Sequence, residues 1–286
     1  MSQQNSPVEQ DVLGRTLSLA WKTFTSAWGL LVVAGLALMA ASIPGGVLGQ
    51  VVGMIQHAML ENGAPPARIV VLWVIFAPVL ILIAACLQWP VQIGVGLTAV
   101  RASRGHTSCF ATIFEGFRRF GSAVGAMLLM AVLGLAAAAP GMVIAALGLF
   151  GVINAGGSPR PIAIVLVIVG ALLAVCVSLW LTARLMVFPL RACDPDLPRV
   201  GVFEALRLSW SATRGHALAG IVTMILSTVA IMLGFGCCCI GLVLFGFPLW
   251  IALQAGYYRA VFNDADPSAP PPPAPWTGDV PPQMPA

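Results

Sequence analysis

The residues in this chain that could do chemistry are few. The segment GFGCCCIG (234–241) sets three consecutive cysteines, Cys237, Cys238 and Cys239, among glycines. Metal sites favour C-x2-C spacing with further Cys or His partners, and adjacent side chains diverge. No histidine shares that turn: His106 and His216 fall on the other side of the apolar stretches, and His57 ends a different one. Two readings stay open, small apolar packing at a tight bend or a disulfide or redox role. Cys86, Cys109, Cys176 and Cys193 are scattered and form no framework. Asp194 and Asp196 in CDPDLP (193–198) could line a metal loop, but their proline neighbours read better as a connector. There is no nucleophile–base pair, no paired carboxylate at depth, no HExxH and no phosphate loop. The expectation is therefore no enzyme activity, no cofactor and no metal. The amides remain: Gln88, Gln92 and Gln254 lie in apolar stretches, where they could hydrogen-bond across helices as structural glue.

The elements that must hold these residues are membrane helices. Of 286 residues, 59% are hydrophobic and 8% charged, whereas soluble domains carry about 25% charge. Mean hydropathy is +0.96. Five stretches lack Asp, Glu, Lys and Arg: 23–60, 69–100, 120–159, 161–183 and 215–258. About 20 apolar residues cross a hydrocarbon core, so the last stretch, with 44, has room for two crossings. The expected fold is all-α: a polytopic transmembrane bundle of six spans, about 28–57, 69–100, 121–153, 161–188, 215–235 and 240–261. An amphipathic helix within 1–27 precedes them, and a Pro-rich tail, 263–286, follows. MSQQNSPVEQ has no basic n-region, so the first span serves as its own insertion signal. No basic stripe interleaved with aromatics occurs, which argues against nucleic acid.

With six spans the charges sort by side. Arg15, Lys22, Arg101, Arg104, Arg118, Arg119, Arg184, Arg191, Arg199, Arg207, Arg214 and Arg259 share one side, and only Arg68 and Arg160 take the other. Positive residues mark the cytoplasmic side. Both termini are expected in the cytoplasm of a bacterium, in its inner membrane, and the triple cysteine at an extracytoplasmic turn. Pro140 reads as a kink in a long third span, and Pro90 and Pro248 as kinks in the second and sixth.

One pattern recurs three times. LSLAWKTFTSAW (17–28), IFEGFRRFGSAV (113–124) and LRLSWSATRGHA (206–217) each precede a pair of spans, with Trp21, Phe117 and Trp210 in register. The pairs end alike, in LTAVR (97–101), LTAR (181–184) and AGYYR (255–259). This is the signature of a threefold repeat of hairpins. Ser6-Pro7-Val8-Glu9 forms a capping box at the first segment. Leu13, Leu17, Trp21, Phe24 and Trp28 then fall at helical spacing. So do Phe110, Ile113, Phe114, Phe117 and Val124, and more weakly Val202, Leu206, Ser209, Trp210 and Thr213. Such helices lie in the cytoplasmic headgroup layer or pack as connectors on the bundle. Arg101, Arg184 and Arg259 read as anchors near anionic lipid headgroups.

The segment 183–222 contains R-x-x-x-x-P (Arg184, Pro189), a short loop, and E-A-L-x-x-S-W (Glu204 to Trp210). With GLVLFGFPLWIALQAGYYRAVF (241–262), it resembles uncharacterised six-span bacterial membrane families, including the membrane domain attached to some glycerophosphodiester phosphodiesterases. The resemblance covers spans four to six and implies topology. The catalytic domain of those enzymes has no counterpart here. The expected function is a non-enzymatic membrane protein that organises lipid or recruits partners at its cytoplasmic face. Trp276 among the tail prolines is a candidate anchor for a protein partner. The alternatives are a transporter or lipid translocator with a path between the hairpins, and an accessory subunit of a glycerophospholipid-processing enzyme.

Overall fold

The computed structural model describes residues 7–63, 65, 77–106, 110–153 and 161–262. Ser6, Arg68, Cys109, Arg160 and the tail, including Trp276, lie outside the described residues, as do the side chains of Cys238 and Cys239. Among the described residues every regular element is helical. In order they are α1 (Pro7–Glu61), α2 (Ala77–Ser103), a 3-10 turn (Phe110–Phe114) running into α3 (Glu115–Arg118), and α4 (Phe120–Ile153). Then come α5 (Pro161–Leu185), α6 (Phe188–Cys193), α7 (Val202–Ala212) and α8 (Ala217–Gly236). The single turn α9 (Cys238–Gly241), a π-helical stretch (Leu242–Gly246) and α10 (Phe247–Phe262) complete the chain.

Among the described residues five segments are long and apolar enough to cross a membrane: Val12–Glu61, Leu82–Ser103, Phe120–Gly151, Pro161–Cys193 and Ala217–Gly236. Most of the apolar window of α2, 61%, is buried in the bundle, against 6% for α4 and 11% for α5–α6. Leu135, Leu147, Phe150 and Val175 accordingly point outward. A surface of that kind is stable against lipid and not against water, so the chain is a membrane protein.

Two expected elements take a different form. The N-terminal helix and first span are one helix, interrupted only at Ala27, where φ −121° and ψ 19° leave the helical region. The last expected span is not one regular helix but three consecutive helical pieces. Pro248 is the reason: it has no N–H, so the Leu244 carbonyl loses its donor four residues on. The backbone widens to a π turn ahead of the proline, and Trp28 Nε1 donates to the Leu244 oxygen at 2.8 Å. Trp28→Phe keeps the ring and deletes the donor, and should cost about 1 kcal/mol in an unfolding titration with SDS. An unchanged midpoint would mean that another donor serves that carbonyl. Helix α4, by contrast, runs through Pro140 as a single element.

Small residues set the packing. Helix α1 lies against α2 and α10, α4 pairs with α5, and α8 bridges α5 and α10. A Cβ on Gly256 would stand 2.6 Å from the Thr16 oxygen, and one on Gly170 would stand 2.4 Å from the Ala145 nitrogen. The 3-10 turn presses onto α2: a Cβ on Gly94 would sit 1.8 Å from the Ile113 oxygen, and one on Gly116 1.9 Å from the Pro90 oxygen. At the triple cysteine, Gly234 and Gly241 allow the bend to close, since a Cβ on Gly241 would meet Cys237 Cβ at 2.6 Å. The Cys237 thiol is free and exposed. The buried face of α1 is Val12, Thr16, Ala20 and Thr23, whereas Leu17, Trp21 and Trp28 are exposed. Close approach of α10 selects the small side chains, and the large apolar ones face out.

Candidate functional site

The charged groups converge on one end of the bundle, where α2 and α10 finish and the 193–201 connector crosses between them. Asp194, 1% exposed, is the hub. Its Oδ2 accepts from Arg104 Nη2 at 2.8 Å and from the Tyr258 hydroxyl at 2.9 Å. Its Oδ1 accepts from Arg104 Nη1 at 3.2 Å and from the Asp196 amide at 3.0 Å. Its backbone carbonyl accepts from Arg119 at 3.0 Å. Asp196 receives Arg104 at 2.9 Å and Arg101 at 3.2 Å, and Arg101 also pairs with Glu115 at 2.9 Å. Partial burial alone would raise the Asp196 carboxyl, but the hydrogen bond and charge of Arg101, joined by those of Arg104, hold it below its ordinary value. Arg259, 6% exposed, donates to the Ser103 carbonyl at the end of α2.

Beside this cluster a cleft of about 830 Å3 separates residues 15–30 of α1 from the end of α2. Arg15, Lys22, Arg104, His106 and Arg259 line it with the hydroxyls of Ser18 and Ser103, and among the described residues no Asp or Glu does. Arg104 is paired with Asp194 and Asp196, and Arg15, Lys22 and Arg259 add further positive charge to the described lining. Its size falls in the usual range of ligand sites, roughly 300–1,000 Å3.

Aromatic side chains surround the same end. Trp21, next to Lys22, is 62% exposed. Phe110, Phe114, Phe117 and Phe120 form an exposed ladder with centroid separations of 5.5, 6.4 and 6.5 Å. Aromatic rings concentrate at membrane–water boundaries. Arg184 lies over the rings of Trp180 and Trp210 at 5.1 and 4.3 Å, which ties α7 to α5.

The sequence-derived candidates thus separate into groups. Arg184 and Trp210 meet each other. Arg101 and Arg259, expected to reach for lipid phosphates, are turned into the protein by acidic and carbonyl partners. Trp21 and Phe117 stand on the outer surface. Gln92 and Gln254 line a second cavity, of about 240 Å3, between α2, α4, α5, α8 and α10. They do not bond to each other, and Gln88 does not reach that cavity. Pro90 is buried under Gly116, and Pro140 and Pro248 lie within or at the start of helices. Asp194, read as part of a plain connector, is the residue that sequence reasoning undervalued. Its signal was scarcity: acidic residues number only 10 in the chain, so each is apt to be committed to a partner. Among the described residues no cluster of three His, Cys, Asp or Glu could hold a metal. No protein-family model, curated protein or solved structure matches this chain.

Proposed function

We propose that this chain is a non-enzymatic, six-span inner-membrane protein that holds an anionic, phosphate-bearing lipid headgroup at its cytoplasmic end. The observation that carries the reading is the cleft whose described lining gathers Arg15, Lys22, Arg104, His106 and Arg259. A helix end rimmed by Trp21 and the phenylalanine ladder would seat such a cleft at headgroup depth. Helical pieces from Cys238 to Phe262 would complete the sixth span, returning the C-terminus to the side of Arg15 and Arg101. The threefold repeat and the likeness of 183–222 to the phosphodiesterase-attached membrane domain belong to this proposal and rest on their own motifs. A translocator would need a polar path through the bundle. The two cavities share no lining residue, which favours the lipid-organising reading.

The test is purification of the full chain in mild detergent, with bound phospholipids quantified by mass spectrometry. Anionic phospholipid should be enriched over zwitterionic. Arg15→Gln with Lys22→Gln should reduce it about tenfold or more, the loss of at least one charge-assisted hydrogen bond. Displacement by added inorganic phosphate would identify a phosphate site that does not need the lipid. Equal anionic lipid on wild type and variant would refute the cleft. The same purification run beside a chain ending at Asn263 tests whether the Pro-rich tail recruits a protein partner.

A further inference from the structure

The second cavity differs in chemistry from the charged cleft and lies deeper. Gln254 is five residues before Arg259 on α10, about 7 Å toward the membrane interior at the helical rise. Among the described residues no charged one lines it. Its polar lining is Gln92, Gln254, Thr182, Ser227 and Thr228, the last already donating to the Met224 carbonyl at 2.9 Å. Ser227 is 4% exposed and its hydroxyl has no partner. The Gln92 and Gln254 amides also make no hydrogen bond in the structure, although each offers two donors and an acceptor. Unspent polar groups at membrane depth are costly unless something satisfies them. Apolar side chains are interleaved with these: Met127, Met130, Met186, Met224 and Trp250 also line the cavity, with Trp250 one turn from Gln254 and Met224 one turn from Ser227. Thioether side chains are flexible and adapt to a guest's shape.

We infer that this cavity binds a small uncharged amphiphile, one that carries a hydroxyl or carbonyl group on an apolar body. Charge is excluded because nothing in the lining would compensate its desolvation. A purely apolar guest would leave both amides and the serine unsatisfied. Water alone would satisfy them, and about 240 Å3 equals roughly eight waters at bulk volume, but the methionines would then face water. An amphiphile matches both kinds of lining. This site is independent of the headgroup cleft.

The probe is 3-azioctanol, a photoreactive neutral alcohol, applied to the full chain in phosphatidylcholine vesicles with labelled residues mapped by mass spectrometry. Labelling should saturate and concentrate in 127–130, 186, 224–231 and 250–254. Excess 1-octanol should suppress it, and octane should compete at least about tenfold more weakly, the worth of one net hydrogen bond. Octanoate should also compete weakly. Gln92→Leu with Gln254→Leu should cut labelling by a similar factor, and Ser227→Ala by less. If the double variant fails to fold, the competition series on the native protein decides. Octane or octanoate competing as well as octanol would overturn the inference. So would labelling absent from the lining, or spread evenly over lipid-facing residues such as Leu135 and Val175.

Discussion

Asp194→Ala should cost about 3–5 kcal/mol of stability, the usual penalty for removing one partner of a buried ion pair. The cost comes from what is left behind. Arg104, its side chain 9% exposed, would lose its 2.8 Å contact with Asp194, and the buried Tyr258 hydroxyl would lose the Asp194 oxygen it donates to at 2.9 Å. The ends of α2 and α10 would lose their shared anchor on the connector. Asp194→Asn keeps the shape and some acceptor capacity, and should cost clearly less. Asp196→Ala, at a carboxylate with 30% exposure, should cost at most about 1 kcal/mol. Unfolding in SDS–detergent mixtures, followed by circular dichroism, gives all three values. Asp194→Ala indistinguishable from Asp196→Ala would remove the hub from the account. Acid acts in the same direction. The Asp196 carboxyl is held below its ordinary value, so its contribution is present above the unfolded pKa, about 3.9. That contribution is lost as pH falls through the lower folded value. Stability should therefore be flat near neutrality and decline only on the strongly acidic side.

The second large effect is expected where the 3-10 turn meets α2. Gly94→Ala and Gly116→Ala each place a methyl within 2 Å of a backbone oxygen, that of Ile113 or of Pro90. Backbone cannot rotate away as a side-chain tip can, so the turn must lift. Overpacking of this kind costs about 1–3 kcal/mol and sometimes more, and the upper end applies here. Gly134 is the control. It lies inside α4 with nothing within 4 Å of its hypothetical Cβ, so Gly134→Ala should be neutral or stabilise by up to about 1 kcal/mol. Opposite signs for one chemical change would establish that contact, not helix propensity, governs the turn. A similar small effect at all three glycines would refute the close approach.

Helices were legible because a spanning backbone must bond within itself, as a helix or a closed barrel, and long continuous apolar runs, a feature of local composition, select the helix. The aromatic faces were legible for the same reason: Phe110, Phe114 and Phe117 repeat at helical spacing. What was not legible depends on partners far along the chain. Arg101 and Asp196 are 95 residues apart, and no periodicity reports such a pair. An arginine beside a span therefore reads as a lipid anchor until its carboxylate is found. The amides failed in the opposite direction. Gln92 and Gln254 do come to one place, but face a cavity and not each other, and Met127, Met130, Met186 and Met224 line that cavity with them. Pro248 showed its chemistry in sequence, but the donor that compensates it, Trp28, sits 216 residues from Leu244.

The hub also imposes an order on biogenesis. Arg104 leaves the ribosome 90 residues ahead of Asp194, an interval of about 5–20 s at ordinary synthesis rates. Tyr258 follows 64 residues after Asp194. During the first interval Arg104 awaits both aspartates of the connector, and assembly of the hub starts only when they follow. It is completed only when the last helix is synthesised, so the C-terminal segment acts as the clasp that closes a bundle begun much earlier.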